Sequence, residues 1–292
     1  MGYAYVNGEM VPAEKAAVSV FDRGFLYGDG LFETMKAYDG RVFLFREHME
    51  RLRRGAVALG ISTSPLKGLR RAAAELMERN GLVRGEARLR VTLTRGVFDG
   101  GHGPVGRTRP TVVLTAGALD DGALSRLRRR GVRAVLASVP APPLAAFKTL
   151  NYLPCVMAKA GARRAGAFEA LFTTADGRLT EGTSTNLFIA RDGTLLTPPP
   201  ESGLLPGITR RAVMEMAGEA GISVVEADLR SRDLYEADEA MLTNSIIEVV
   251  PLVAVGDRPI GTGAPGDLTR LVQSLYSAAL SRLASRRRAA AP

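Results

Sequence analysis

Between Ala87 and Thr94 apolar and polar positions alternate without a break. Ala87, Leu89, Val91 and Leu93 fall on one side, Arg88, Arg90, Thr92 and Thr94 on the other, which is the period-two pattern of a half-buried strand. Two dipeptides nearer the start, Asn7-Gly8 and Asp39-Gly40, tolerate the positive φ angles of a type I′ turn. Tyr3–Val6 with Glu9–Val11, and Leu31–Tyr38 with Arg41–Phe45, therefore read as hairpins. Helical periodicity runs from Arg46 to Leu59, stopped by Gly60, and from Pro65 to Asn80, stopped by Gly81. Thr111–Thr115 adds a strand. Residues 1–117 read as a small α+β domain.

Residues 118–130 are charged, contain Asp120-Asp121-Gly122, and read as a linker. Residues 131–292 read as a second, larger domain. It opens with the β-rich Val132–Val139 and a turn rich in proline (Pro140, Pro142, Pro143). A helix follows over Pro154–Ala165. Strands over Glu169–Thr174, Asn186–Ala190 and Thr194–Thr197 are set around the turns Asp176-Gly177 and Asp192-Gly193. A helix from Ile208 to near Gly221, strands at Val224–Ala227 and Glu239–Thr243, and a last helix from Asp267 to about Arg286 complete the pattern. There is no internal repeat.

Size and composition narrow the classes. A chain of 292 residues that is 46% hydrophobic can bury a sizeable core. Lys+Arg 39 against Asp+Glu 30 gives +9. The arginines are spread along the chain, aromatics are 6%, tryptophan is absent and no zinc-finger spacing occurs. This counts against a nucleic-acid partner. The N-terminus lacks a charged leader, and no run of about 18 apolar residues appears, so neither a signal peptide nor a membrane helix is expected. Cys155 is the sole cysteine. It excludes an intrachain disulfide and a cysteine-rich metal site, and it suits a reducing cytoplasm.

Only five lysines occur, at positions 15, 36, 67, 148 and 159. Of these, Lys148 sits in the apolar stretch Leu144–Leu153. Taken alone it reads as a snorkelling side chain. Downstream, Glu181 closes a hairpin and Gly207-Ile208-Thr209-Arg210 opens a helix. Taken alone these read as a turn acid and an ordinary helix start. Together, an amine, a carboxylate and an anion-receiving helix N-terminus are the parts that pyridoxal phosphate needs. The amine bonds to its aldehyde, the carboxylate keeps its ring nitrogen protonated, and the helix start takes its phosphate.

The spaced set Glu181, Thr183, Asn186, Leu187, Phe188, Leu195, Thr197, Leu205, Gly207, Ile208 and Arg210 resembles the signature of the class-IV, fold-type-IV pyridoxal-phosphate aminotransferases at every defined position. Asp22–Thr34, His48–Leu52 and Thr243–Glu248 are also similar to that family, and the resemblance runs from Met1 to about Tyr276. It implies an α+β, two-domain fold with a small N-terminal α/β domain and a larger C-terminal β-barrel-like domain with helices. It implies Lys148 as the catalytic amine that takes and returns a proton. It also implies a cofactor set of Arg51, Lys148, Tyr152, Glu181, Ile208, Thr209 and Ser245, and a homodimer acting on an amino acid and a 2-oxo acid.

The resemblance leaves the substrate open. Tyr27, Phe32 and Arg90 fall where branched-chain enzymes have an aromatic pocket and an arginine facing a carboxylate. Arg88 shares the strand face of Arg90. His102 matches half of the arginine-x-histidine clamp of D-amino-acid enzymes, but Gly100 stands at the arginine position. Thr34 and Arg88 depart from the branched-chain pattern. Lys36 and the Lys-Thr-Leu-Asn run look more like the D-amino-acid and lyase branches. The leading expectation is a branched-chain L-amino-acid aminotransferase. The alternatives are a D-amino-acid aminotransferase, a 4-amino-4-deoxychorismate lyase that needs no 2-oxo-acid acceptor, and a basic binding protein without chemistry.

Overall fold

The computed structural model describes residues 2–97, 108–142 and 144–288. The chain folds as two units, Met1–Asp120 with Phe147–Asn151, and Asp121–Ala146 with Tyr152–Pro292.

The first unit starts with the hairpin β1 (Tyr3–Val6) and β2 (Glu9–Pro12), turned by Asn7 and Gly8, both at positive φ. A short helix, α1 (Arg23–Tyr27), is capped by the buried Asp22 and ended by a left-handed Gly28. β3 (Gly30–Tyr38) and β4 (Arg41–Val42) turn at Asp39-Gly40, again both at positive φ. Helices α2 (Phe45–Ala58) and α3 (Leu69–Arg79) follow, then β5 (Glu86–Thr94) and β6 (Val112–Ala118). The helix expected from Pro65 begins only at Leu69, because Gly68 takes φ +76 and interrupts the turn formed by Ser64–Leu66. The strands form a six-stranded sheet in the order β2-β1-β6-β5-β3-β4. Leu89, Val91 and Leu93 of β5 enter the core with Leu31, Met35, Leu52 and Leu76, while Arg88 stays exposed. The alternation read from the sequence holds except at Thr94, which is buried at the strand's end and donates to Asp22 at 2.9 Å.

The second unit contains α4 (Asp121–Arg130), β7 (Val132–Leu136), α5 (Leu153–Arg164), β8 (Glu169–Thr173), β9 (Leu179–Gly182), β10 (Asn186–Arg191) and β11 (Thr194–Thr197). After these come α6 (Ile208–Glu219), β12 (Val224–Glu226), α7 (Ser231–Tyr235), β13 (Glu239–Asn244), β14 (Glu248–Val255), β15 (Arg258–Pro259) and α8 (Asp267–Arg288). The sheet runs β12-β11-β10-β13-β14-β7-β8-β9, with β15 on β14. β9 also pairs with β10 through Glu181 and Asn186. The path from β10 round to β9 therefore closes, and a barrel-like sheet surrounds Leu171, Leu187, Ile189, Leu242, Val250 and Leu252.

Two expectations are corrected. Most of the presumed linker, 118–130, is helix α4, which lays Leu124 and Leu127 against the second core, turns Arg128 to Glu248 and keeps Arg126, Arg129 and Arg130 exposed. Lys148, expected within the C-terminal domain, clusters with the first unit. The reason is a backbone pairing of this segment with β3 that local sequence does not encode.

Candidate active site

β4 covers only the Ala37–Tyr38 end of one edge of β3. The other end of that edge receives the Lys148 segment. The Phe32 N–H donates to the Lys148 carbonyl at 2.9 Å, the Leu150 N–H donates to the Gly30 carbonyl at 3.0 Å, and Leu31 and Thr149 form an isolated antiparallel bridge. This fixes the backbone of a half-buried lysine. Its Nζ lies 4.7 Å from the centroid of the buried Phe32 ring, and the Arg90 guanidinium lies 3.9 Å from the same centroid, both within cation–π range. Arg90 also donates from Nε to Thr92 Oγ1 at 3.3 Å. Of the other residues expected at the substrate, Tyr27 ends α1 with the Arg23 guanidinium 5.0 Å from its ring centroid. His102 lies outside the described residues.

Next to Phe32, Glu33 is fully buried and meets two residues of α2. Arg51 donates to it from Nε and Nη2, both at 2.7 Å, and His48 Nδ1 is 2.7 Å from Oε2. Positions 48 and 51 share a helix face by their spacing of three. Burial works to raise the Glu33 carboxyl, but the Arg51 charge and hydrogen bonds, with those of His48, outweigh it and hold the carboxyl at about 2. Burial also pushes the His48 imidazole below its ordinary value, against the pull of Glu33. The network thus assigns a neutral ring with its Nδ1 proton facing the carboxylate. Glu33 was missed as a partner of Arg51, and His48 as a second partner of the same carboxylate. Their only signal is a carboxylate on a strand otherwise built for burial, and a histidine three positions before the arginine.

In the second unit Tyr152 precedes α5, and its hydroxyl donates to the Thr183 carbonyl at 2.7 Å. Glu181, near the end of β9, accepts from Asn186 Nδ2 at 3.2 Å, and the same amide donates to the Leu205 carbonyl at 2.9 Å. Asn186 also explains Gly207, where a Cβ would fall 1.9 Å from the Asn186 Oδ1. The structure therefore brings Glu181 and the start of α6 together through one asparagine. Ile208 and Thr209 are buried there, and no side chain caps the helix. A buried helix start without a side-chain cap is a site for an anion. Arg210 points into structure instead. It donates to Thr197 Oγ1 at 3.2 Å, the Pro198 carbonyl at 2.9 Å and Glu226 at 2.5 Å. Ser245 follows β13 in the turn that leads to β14. No group of three potential metal ligands occurs among the described residues, and no helix among them is long and apolar enough to cross a membrane.

Residues 30–255 match the family model for amino-transferase class IV. The chain is 39% identical over 277 residues to a putative branched-chain-amino-acid aminotransferase of Methanocaldococcus jannaschii, covering 93% of this chain and 94% of that protein. It is 34% identical over 269 residues to the D-alanine aminotransferase of Bacillus licheniformis, covering 92% and 93%. Among solved structures, the branched-chain aminotransferase of Thermoproteus uzoniensis with norvaline superposes with a TM-score of 0.86 at 31% identity, covering 94% of this chain and 93% of that one.

Proposed function

The chain belongs to the class IV aminotransferases, and within that family we propose that it moves the amino group of an aliphatic amino acid, branched-chain L-type first, onto a 2-oxo acid such as 2-oxoglutarate. The family uses pyridoxal phosphate, and this chain is a pyridoxal-phosphate-dependent enzyme of it. The cofactor, when bound, supplies an aldehyde that condenses with amines and a ring that draws electrons from the carbon bearing the amino group.

The residues present fit that group. The uncapped, buried start of α6 suits a phosphate dianion. In our reading Ile208, Thr209, Ser245 and Arg51 take the phosphate, and Glu181 keeps the ring nitrogen protonated. Tyr152 would meet the cofactor's phenolic oxygen. Lys148 would hold the cofactor through its aldehyde carbon until the substrate amine displaces it, and its freed Nζ would take the proton from the substrate α-carbon and deliver it to the carbon that Nζ had held.

The observation that carries the substrate assignment is Phe32, a buried aromatic ring with Lys148 Nζ 4.7 Å from its centroid. Such a wall beside the reacting amine favours an aliphatic side chain. The Arg90 guanidinium on the same ring suits a carboxylate, and Arg88, exposed on that strand face, is the second candidate. In assays with 2-oxoglutarate, L-leucine is expected to yield glutamate faster than D-alanine. Faster turnover of D-alanine would select the D-amino-acid reading, which the 34% identical D-alanine aminotransferase supports. Pyruvate release from aminodeoxychorismate without an acceptor would replace the transaminase reading with the lyase.

A cytoplasmic homodimer is the form we propose. The single cysteine supports the location. Large apolar side chains support the assembly: in the first unit Phe21 and Phe25 are 66% and 73% exposed, and in the second Leu153 is 67% exposed, surface that a second copy would cover. Sedimentation at micromolar concentration is expected to give twice the chain mass. A fully active monomer would exclude the dimer.

A further inference from the structure

We propose that Asn244 is a positioning residue that locks the phosphate-side turn at Ser245 to the β9–β10 link that follows Glu181. The inference rests on the reading above, in which Glu181, Tyr152 and Ser245 serve the cofactor.

Asn244 ends β13 and pairs with Glu248 across a three-residue turn. Its Oδ1 accepts from the Ile246 and Ile247 N–H groups at 2.8 and 2.9 Å, and its Nδ2 donates to the Ser184 carbonyl at 2.9 Å. The orientation of the amide follows from these partners. Two N–H groups face one atom and a carbonyl faces the other, so the flipped amide would satisfy none of them. The turn it closes leads directly into Glu248, whose φ of 65 lies in the left-handed region that a side chain disfavours. A salt bridge from Arg128 to Glu248 at 3.0 Å holds the far side.

The acceptor end of the tie matters as much. Ser184 lies in the link between β9 and β10, whose flanking residues Glu181 and Asn186 are paired. Its neighbour Thr183 offers the carbonyl that receives the Tyr152 hydroxyl. Beneath the link the buried Glu169 accepts from the hydroxyls of Thr183, Ser184 and Thr185, and Gly182 is required because a Cβ would fall 2.8 Å from Glu169 Cγ. The link is thus rigid from below, and Asn244 fastens it from the side. One carboxamide sets the Ser245 turn against the segment that orients both Glu181 and Tyr152.

Two substitutions separate the roles. Asn244→Asp keeps an oxygen for the Ile246 and Ile247 N–H groups but turns a second oxygen towards the Ser184 carbonyl. The turn survives and the tie is lost. Asn244→Gly, suited to any tight turn, removes both and serves as the second variant if N244D does not fold. Apo protein is titrated with pyridoxal phosphate, followed by visible absorption over a range of pH, with urea unfolding of the apo form alongside. The dissociation constant of N244D is expected to rise about tenfold. The pH midpoint of its visible band should shift, while the apo urea midpoint stays near that of the wild type. A merely structural role would move the urea midpoint and leave the band's titration alone. A variant with wild-type affinity and an unshifted band overturns the proposal. A wild-type protein that forms no coloured complex overturns the cofactor reading, and this proposal with it.

Discussion

Lys148→Ala is expected to lower the rate of glutamate formation by about 10²–10⁴-fold, the usual worth of a positioned acid–base group, and to leave the fold in place. The fold survives because the contacts that seat this segment on β3 are backbone contacts. The Phe32 N–H donates to the Lys148 carbonyl, and the Leu150 N–H to that of Gly30. Truncating the side chain leaves those bonds, removing one amine from a half-buried position beside the Phe32 ring. Loss of that cation–π contact costs about 0.5–1 kcal/mol in stability. The chemical loss is much larger, because no neighbouring side chain in this segment can stand in. Phe147, Thr149 and Leu150 flank it, and the nearby Arg90 is a permanent cation that cannot accept a proton. A second readout is independent of turnover. Borohydride reduction of wild-type protein with pyridoxal phosphate should fix the label on the peptide containing position 148, and the alanine variant should take none. A variant with wild-type turnover, or a label on Lys36 or Lys159, would sink the assignment.

What could be read from the sequence divides along the distance over which each contact acts. The turns at Asn7-Gly8, Asp39-Gly40 and Asp192-Gly193 are local, and each dipeptide takes two positive φ angles as its composition requires. At Asp176-Gly177 only the glycine does, and the β8–β9 pairing that it turns shifts register between Leu171 and Thr173. The dipeptide marked a turn without specifying its type. Strand β5 declared its buried face residue by residue. Helix α4 did not, because it contributes only Leu124 and Leu127 to a core and carries charge elsewhere, so its composition imitates a linker.

The site shows the same division. Lys148, Glu181 and Ile208 are visible as motifs because spacing along the chain carries them. Their supports, Glu33 for Arg51 with His48 on the same carboxylate, Asn186 for Glu181 and Gly207, and Asn244 for Ser184, are contacts across 5 to 60 positions. Each of these side chains is ordinary where it stands in the sequence. The closure of the barrel-like sheet by the single Glu181–Asn186 pair is equally silent.

The other large effect is on stability. Glu33→Ala is expected to cost about 3–5 kcal/mol at neutral pH, as breaking a buried ion pair from one side does. That is a large share of the roughly 5–15 kcal/mol that holds a folded protein together. The substitution removes the buried carboxylate that Nε and Nη2 of a largely buried Arg51 each meet at 2.7 Å, and with it a hydrogen-bond partner of a buried imidazole. The pH dependence has a definite sign. The folded Glu33 carboxyl is depressed from 4.5 to about 2, so the unfolded chain binds its proton first as pH falls. The contribution is therefore complete above about pH 4.5 and is lost as pH drops towards 2, amounting to about 3 kcal/mol in all. Urea unfolding of wild type and variant at a series of pH values from 7 to 3 is expected to show a wide gap that narrows on the acid side. Glu33→Gln, which keeps the size of the side chain, supplies the same comparison if the alanine form does not fold. A gap of constant width across the series would mean that Glu33 is not the anion on which Arg51 is set.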